Sequence, residues 1–139
     1  MYKVFIDSNV LLAAIISDFE GSYPSLIIKL GRLNLIELFI SNLVEIEVRK
    51  NLTIKKQKNL RLFDEVLEDF HKLEDVYIPI RELETLSEAD KIILSTAIYN
   101  RLDYFITGNT RDFKTLYGKK IINTTIVAPK EFFDIHISR

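Results

Sequence analysis

Residues 3–16 read KVFIDSNVLLAAII. Lys3–Ile6 is short and apolar, as a strand covered on both faces must be. Asp7 interrupts it, and Asn9 to Ile16 continues as a mostly apolar helix. The same alternation runs on along the chain. Ser22-Tyr23-Pro24 opens a second helix, with proline tolerated in its first turn and Leu26, Ile27, Leu30 and Leu33 as a buried stripe. Ile36–Ile40 is predicted as a strand. Ser41 or Asn42 then caps a helix carrying Leu43, Val44, Ile46, Val48 and Leu52. Phe63, Val66, Leu67, Phe70 and Leu73 follow helical spacing and predict one further helix. Strands are predicted at Val76–Ile80, Tyr104–Thr107 and Ile121–Val127. A helix over Ser87–Asn100 turns Ile93, Leu94, Ala97 and Ile98 inward, and Pro129 starts a short terminal helix with Phe132 and Phe133. Five short strands alternating with helices predict one α/β domain over residues 1–139, with a mainly parallel sheet covered by helices on both faces.

Composition narrows the chemistry. The 139 residues are enough for one domain with a proper core, and 47% of them are hydrophobic. Four glycines and three prolines leave no room for a low-complexity linker. The apolar run Val10 to Ile16 is too short to span a membrane. The N-terminus lacks a signal-peptide layout because Asp7 interrupts it, which predicts a cytoplasmic protein. The absence of cysteine excludes disulfides and thiolate zinc sites. His71 and His136 are far apart and show no ligand spacing, so a histidine zinc site or a Ser-His-Asp triad fits poorly. The net charge of −1 does not advertise a polyanion partner, but its distribution is uneven. Residues 49–61, RKNLTIKKQKNLR, hold six basic residues and no acid, and residues 62–76 turn acidic. The basic run reads as a solvated helix–loop surface, and it is also suited to tracking phosphates.

In open parallel sheets, ligands bind beyond the carboxyl ends of the strands, near the switch in strand order. Asp7 lies just past the first strand. The loop TGNTRDFKTLYG, residues 107–118, lies just past the fourth, where Gly108 and Asn109 also suit a plain chain reversal. Asp7 could simply cap the helix that follows it. Asp90 closes a capping box with Ser87, yet it also heads the buried stripe of its helix, where an acid is costly unless paired or on a metal. Glu45 and Glu47 stand at similar angles on their helix, and periodicity does not choose between them. Asp112 could be a turn or cap residue before Phe113. Together these acids suggest carboxylates converging at one end of the sheet. Oxygen ligands without Cys or ligating His favour Mg²⁺ or Mn²⁺ over zinc. A hard ion beside a basic track suits phosphodiester hydrolysis.

Four segments carry a family resemblance over nearly the whole chain. VFIDSNVLLAAI, SNLVEIEVRKNL, SEADKIILSTAI and FITGNTRDF resemble, in order and spacing, the motifs of the PIN domain family, especially its VapC-like toxin ribonucleases. The resemblance implies a three-layer α/β/α sandwich and a Mg²⁺- or Mn²⁺-dependent endoribonuclease acting on an RNA substrate. It also implies a homodimer held in check by a cognate antitoxin. It makes Asp7, Asp90, Glu47 and Asp112 the catalytic and metal-site acids, Glu47 being preferred because a leucine stands five residues on. Ser8 and Asn9 would orient Asp7, while Thr107 and Asn109 would shape the metal or phosphate shell. Lys50, Lys55, Lys56, Lys58 and Arg111 would hold RNA phosphates. One position departs: Asn109 stands where other members carry Asp. Either Asp112 supplies the fourth acid or the site has three carboxylates. The alternative to a nuclease is a catalytically silent PIN-like module that binds RNA or protein. Phosphotransfer folds fit poorly, since Asn9 replaces the second Asp of a haloacid-dehalogenase-type phosphatase, and Pro79-Ile80-Arg81 stands where a receiver domain needs its phospho-accepting Asp.

Overall fold

The computed structural model describes residues 1–17 and 21–136. The elements run β1 Lys3–Ile6, α1 Ser8–Ile16, α2 Tyr23–Arg32, β2 Glu37–Ser41, α3 Asn42–Lys55, α4 Leu60–Leu67, β3 Phe70–Leu73, α5 Glu88–Tyr99, β4 Tyr104–Ile106, β5 Lys120–Ile121, β6 Thr124–Val127 and α6 Pro129–His136. One sheet has the order β3-β2-β1-β4-β6-β5, parallel throughout except for the β5–β6 pair. The helices flank it in an α/β/α arrangement. The chain builds outward from β1 through β2 to β3, then returns to lay β4 on the other side of β1. The strand order therefore switches between β1 and β4, with Ile6 level with Ile106. Among the described residues, no helix is long and apolar enough to cross a membrane.

The core follows from the apolar strands. Val4, Phe5, Ile6, Leu38, Ile40, Phe105 and Ile106 are buried, and Phe5 stacks on Phe105 with ring centroids 5.4 Å apart. Helix α2 comes close to β2 at Gly31, where a Cβ would lie 2.2 Å from Leu38 Cδ1. Ser22, Ser41 and Ser87 cap α2, α3 and α5, each accepting from the backbone N–H three residues on.

Four expectations need correction. The helix through Phe63 ends at Leu67, and Phe70–Leu73 is instead the edge strand β3, paired with Leu38–Ser41. Helical spacing persisted by coincidence across the Glu68-Asp69 turn. Val76–Ile80 is not a strand. It lies along α5, where Val76 N–H donates to Thr96 Oγ1 (2.9 Å) and Ser95 Oγ donates to the Ile78 carbonyl (3.3 Å). These side-chain bonds take the place of a ladder, and Pro79 has no N–H to offer one. Ile121–Val127 is a hairpin rather than one strand, because Ile122 adopts φ 60° and reverses the chain. The sheet thus has six strands, not five. Lastly, Leu33, expected on the buried stripe of α2, is 58% exposed because it ends that helix.

Candidate active site

The parallel pairing of β1 with β4 sets two backbones level, and the next residue of each turns into one crevice. Asp7 N–H donates to the Ile106 carbonyl (3.0 Å), and Thr107 N–H to the Val127 carbonyl (3.0 Å). Their side chains meet: Thr107 Oγ1 donates to Asp7 Oδ2 at 2.7 Å. Ser8 N–H donates to Asp7 Oδ1 at 2.8 Å, so Asp7 does cap α1. Thr107 Oγ1 accepts from Asn109 N–H (3.1 Å) and from Asn9 Nδ2 (3.4 Å). Its one donor and two acceptor sites are then all used. Asn9 Oδ1 accepts from Gly108 N–H (2.8 Å), which ties the loop after β4 to the start of α1. Tyr117 holds the same loop from outside, its hydroxyl donating to the Thr107 carbonyl (2.9 Å), and burial pushes its phenol up to about 12.

Asp7 is only 3% exposed, and no ion pair reaches it among the described residues. Burial pushes its pKa up to about 7, and the charges of Asp90 and Glu47 add to the rise against the hydrogen bonds from Thr107 and Ser8. A capping aspartate needs neither that burial nor those neighbours. Asp90, at the head of α5, is also raised, by burial first and then by Asp112 and Glu47, while Ser87 opposes the shift. Its backbone N–H donates to Ser87 Oγ (3.2 Å), so the expected cap of α5 by Ser87 is present.

The two glutamates of α3 part ways. Glu45 is taken up by Arg49 (3.0 Å) and Lys72 (3.1 Å). Burial works against its charge, but those two cations outweigh it and hold its carboxyl below the usual range. Among the described residues Glu47 enters no ion pair and instead accepts from Ser8 Oγ at 2.7 Å, beside Asp7. Asp112 is exposed and bound up with Asn109: Asn109 Nδ2 donates to Asp112 Oδ2 (2.8 Å), and Asp112 N–H donates to Asn109 Oδ1 (3.1 Å).

Asp7, Glu47 and Asp90 therefore stand close enough for their charges to act on one another, and Asp112 acts on Asp90. Among the described residues, however, no three acidic or histidine side chains converge closely enough to cage an ion. Lys50, Lys56 and Lys58 are exposed and enter no ion pair among the described residues, whereas the Lys55 side chain lies outside them. Arg49 and Arg61, from the same basic run, are spent on Glu45, Asp64 and Glu65. Arg111 is exposed and lines a cleft next to Asp112. The Ser8–Glu47 and Tyr117–Thr107 bonds escaped sequence reasoning. Partners 39 and 10 residues apart on different elements leave no periodic signal.

A PIN domain model matches residues 3–111, more than half of the chain. The chain belongs to the PIN domain family. The match takes in Asp7, Glu47, Asp90 and the loop as far as Arg111, and leaves Asp112, β5, β6 and α6 beyond its end. No curated protein matches the sequence. Among solved structures, this PIN domain is similar to a chain of VapBC2 from Rickettsia felis, in a crystal structure with a DNA fragment from their promoter. The TM-score is 0.68 at 22% identity, covering 91% of this chain and 98% of that one. That likeness extends the shared fold past the family match, into the C-terminal elements.

Proposed function

We propose that this PIN domain is a Mg²⁺- or Mn²⁺-dependent endoribonuclease, the toxin of a toxin–antitoxin pair, acting in the cytoplasm as a homodimer. The observation that carries the reading is Asp7. It is a buried carboxylate with no ion-pair partner among the described residues, and the charges of Glu47 and Asp90 act on it at the strand-order switch. Burying an unpaired charge is costly, and crowding like charges adds to the cost, unless a cation belongs there. The donors are all oxygens, which fits a hard divalent ion. Asp7, Glu47 and Asp90 would hold it, with Asp112 directly or through water. When bound, the ion would supply Lewis-acid activation of water and neutralise charge on the phosphate.

The chain's own residues set the rest. Thr107 and Ser8 N–H orient Asp7, and Ser8 Oγ orients Glu47 toward it. Asn9 and Gly108 fix the loop that walls the crevice. Lys50, Lys55, Lys56, Lys58 and Arg111 would hold phosphates of the RNA. The antitoxin partner rests on the family resemblance and on the fold shared with VapBC2.

A catalytically silent module that binds RNA or protein is the second reading. It draws on the lack of a preformed three-carboxylate cage among the described residues. Incubating purified protein with a structured RNA in Mn²⁺, in Mg²⁺ and in chelator separates the two. Cleavage that needs the ion and is lost in Asp7→Asn supports the nuclease. RNA binding without cleavage in either ion supports the silent module.

A further inference from the structure

Next to the carboxylates lies a cleft of about 420 Å³, lined by Thr85, Ser87, Arg111, Asp112, Lys114 and Thr115. Its walls are the loop leading into α5 and the turn after β4. Its volume falls in the range of roughly 300–1,000 Å³ typical of small-ligand sites, so it is nucleotide-sized rather than ion-sized. Arg111 and Lys114 are exposed and enter no ion pair among the described residues. Asp112, the one acid on the wall, is turned to Asn109 Nδ2 and borders the Asp90 side of the cleft. Three hydroxyls and two free cations suit a phosphate and a ribose. No aromatic ring lines the cleft, so nothing there offers a stacking platform for a base.

We propose that this cleft is a phosphate–ribose subsite that takes the nucleotide of an RNA strand next to the cleaved bond, with Arg111 and Lys114 on the phosphate and the Thr85, Ser87 and Thr115 hydroxyls on the sugar. The inference rests on the nuclease reading and adds a direction to it: the strand leaves the carboxylates between the α5 entry and the 111–115 turn. It also makes the subsite indifferent to base identity and sensitive to the 2′-hydroxyl, the group that separates RNA from DNA.

The test is fluorescence anisotropy of a short single-stranded RNA, and of DNA of the same sequence, in chelator and again with Mn²⁺ on an Asp7→Asn background. Lys114→Gln and Arg111→Gln should each weaken RNA binding several-fold. Each should flatten the slope of log affinity against log salt by about 0.7 per lost phosphate contact on a single strand. Thr85→Val with Thr115→Val should weaken RNA binding and leave DNA binding as it was. Lys29→Gln, in the groove between α1, α2 and α4, should change neither. Among the described residues neither cation enters an ion pair, so unchanged melting temperatures are expected for Lys114→Gln and Arg111→Gln. An unaltered affinity and salt slope in Lys114→Gln and Arg111→Gln overturns the subsite even if the parent cleaves RNA. Failure of the parent to bind the RNA in chelator, and of Asp7→Asn to bind it with Mn²⁺, overturns it too. Binding that responds to these variants in a protein that cuts no RNA upholds the subsite and rejects the nuclease reading instead.

Discussion

Asn109 and Asp112 hold each other across the turn after β4, through Asn109 Nδ2 to Asp112 Oδ2 at 2.8 Å and Asp112 N–H to Asn109 Oδ1 at 3.1 Å. The Asn109 side-chain amide thus donates to the Asp112 carboxylate and accepts from the Asp112 backbone, which pins the turn from both sides. The two candidates for the fourth ligand are thus parts of one unit. Asn109→Ala removes both bonds and should lower stability by about 1 kcal/mol. Asp112→Asn keeps an acceptor for Asn109 and should leave the melting temperature nearly unchanged while cutting RNA cleavage strongly. Parental cleavage by Asp112→Asn, with loss in Asn109→Ala, would reduce Asp112 to closing the turn.

Asn109→Asp sets a second carboxylate against Asp112. Without metal it should melt lower than the parent, because like charges in contact disfavour ionisation. With Mn²⁺ it should gain more than the parent does, since an ion bound only by the folded state stabilises it. Thermal melts with and without Mn²⁺ decide this, and an equal rise in both proteins would remove position 109 from the metal's reach.

The raised pKa of Asp7 makes stability depend on pH. In the unfolded chain Asp7 loses its proton near 3.8, and in the folded protein near 7. Between those values the folded state holds the extra proton, so metal-free stability falls as pH rises through the window and levels off above it. A shift of this size corresponds to about 4 kcal/mol. Asp90, also raised, adds in the same direction. Asp7→Asn removes the Asp7 share, so denaturant unfolding in chelator should fall less steeply with pH in the variant. Equal slopes would mean that Asp7 ionises in the fold without penalty.

Gly31→Ala should destabilise the protein although alanine is the better helix former. The added Cβ would meet Leu38 Cδ1 at 2.2 Å, and Leu38 is buried in β2. Overpacking of this kind costs about 1–3 kcal/mol, against a propensity gain of about 1 kcal/mol. Urea unfolding of the variant checks the sign, and a stabilised variant would show that Leu38 can move aside freely.

What was legible in the sequence was local. Lys3–Ile6 and the entry to α5 at Ser87 follow from short-range chemistry, and Asp7 could be placed at a strand end for the same reason. The pairing of strands was not legible. Phe70–Leu73 kept helical spacing but was captured as an edge strand by β2, and Val76–Ile80 looked like a strand but is bound by the side chains of Ser95 and Thr96. At the site, Glu45 and Glu47 could not be separated by periodicity. What separates them is long-range: Lys72 on β3 takes Glu45, and Ser8 at the start of α1 takes Glu47. The bonds between Asn109 and Asp112 lie within NTRD, four consecutive residues, and agree with the expectation of Asp112 as a turn residue before Phe113.

The central claim is that the Asp7 cluster holds a divalent ion, and calorimetric titration of Mn²⁺ into the chelator-treated protein tests it most directly. Binding must displace the Asp7 proton, so affinity should rise from about pH 6 to about pH 8, with proton release near the lower value. Asp7→Asn should weaken binding by roughly 10- to 100-fold or more and abolish that proton release. Mn²⁺ binding to Asp7→Asn with the affinity and pH dependence of the parent would contradict the account.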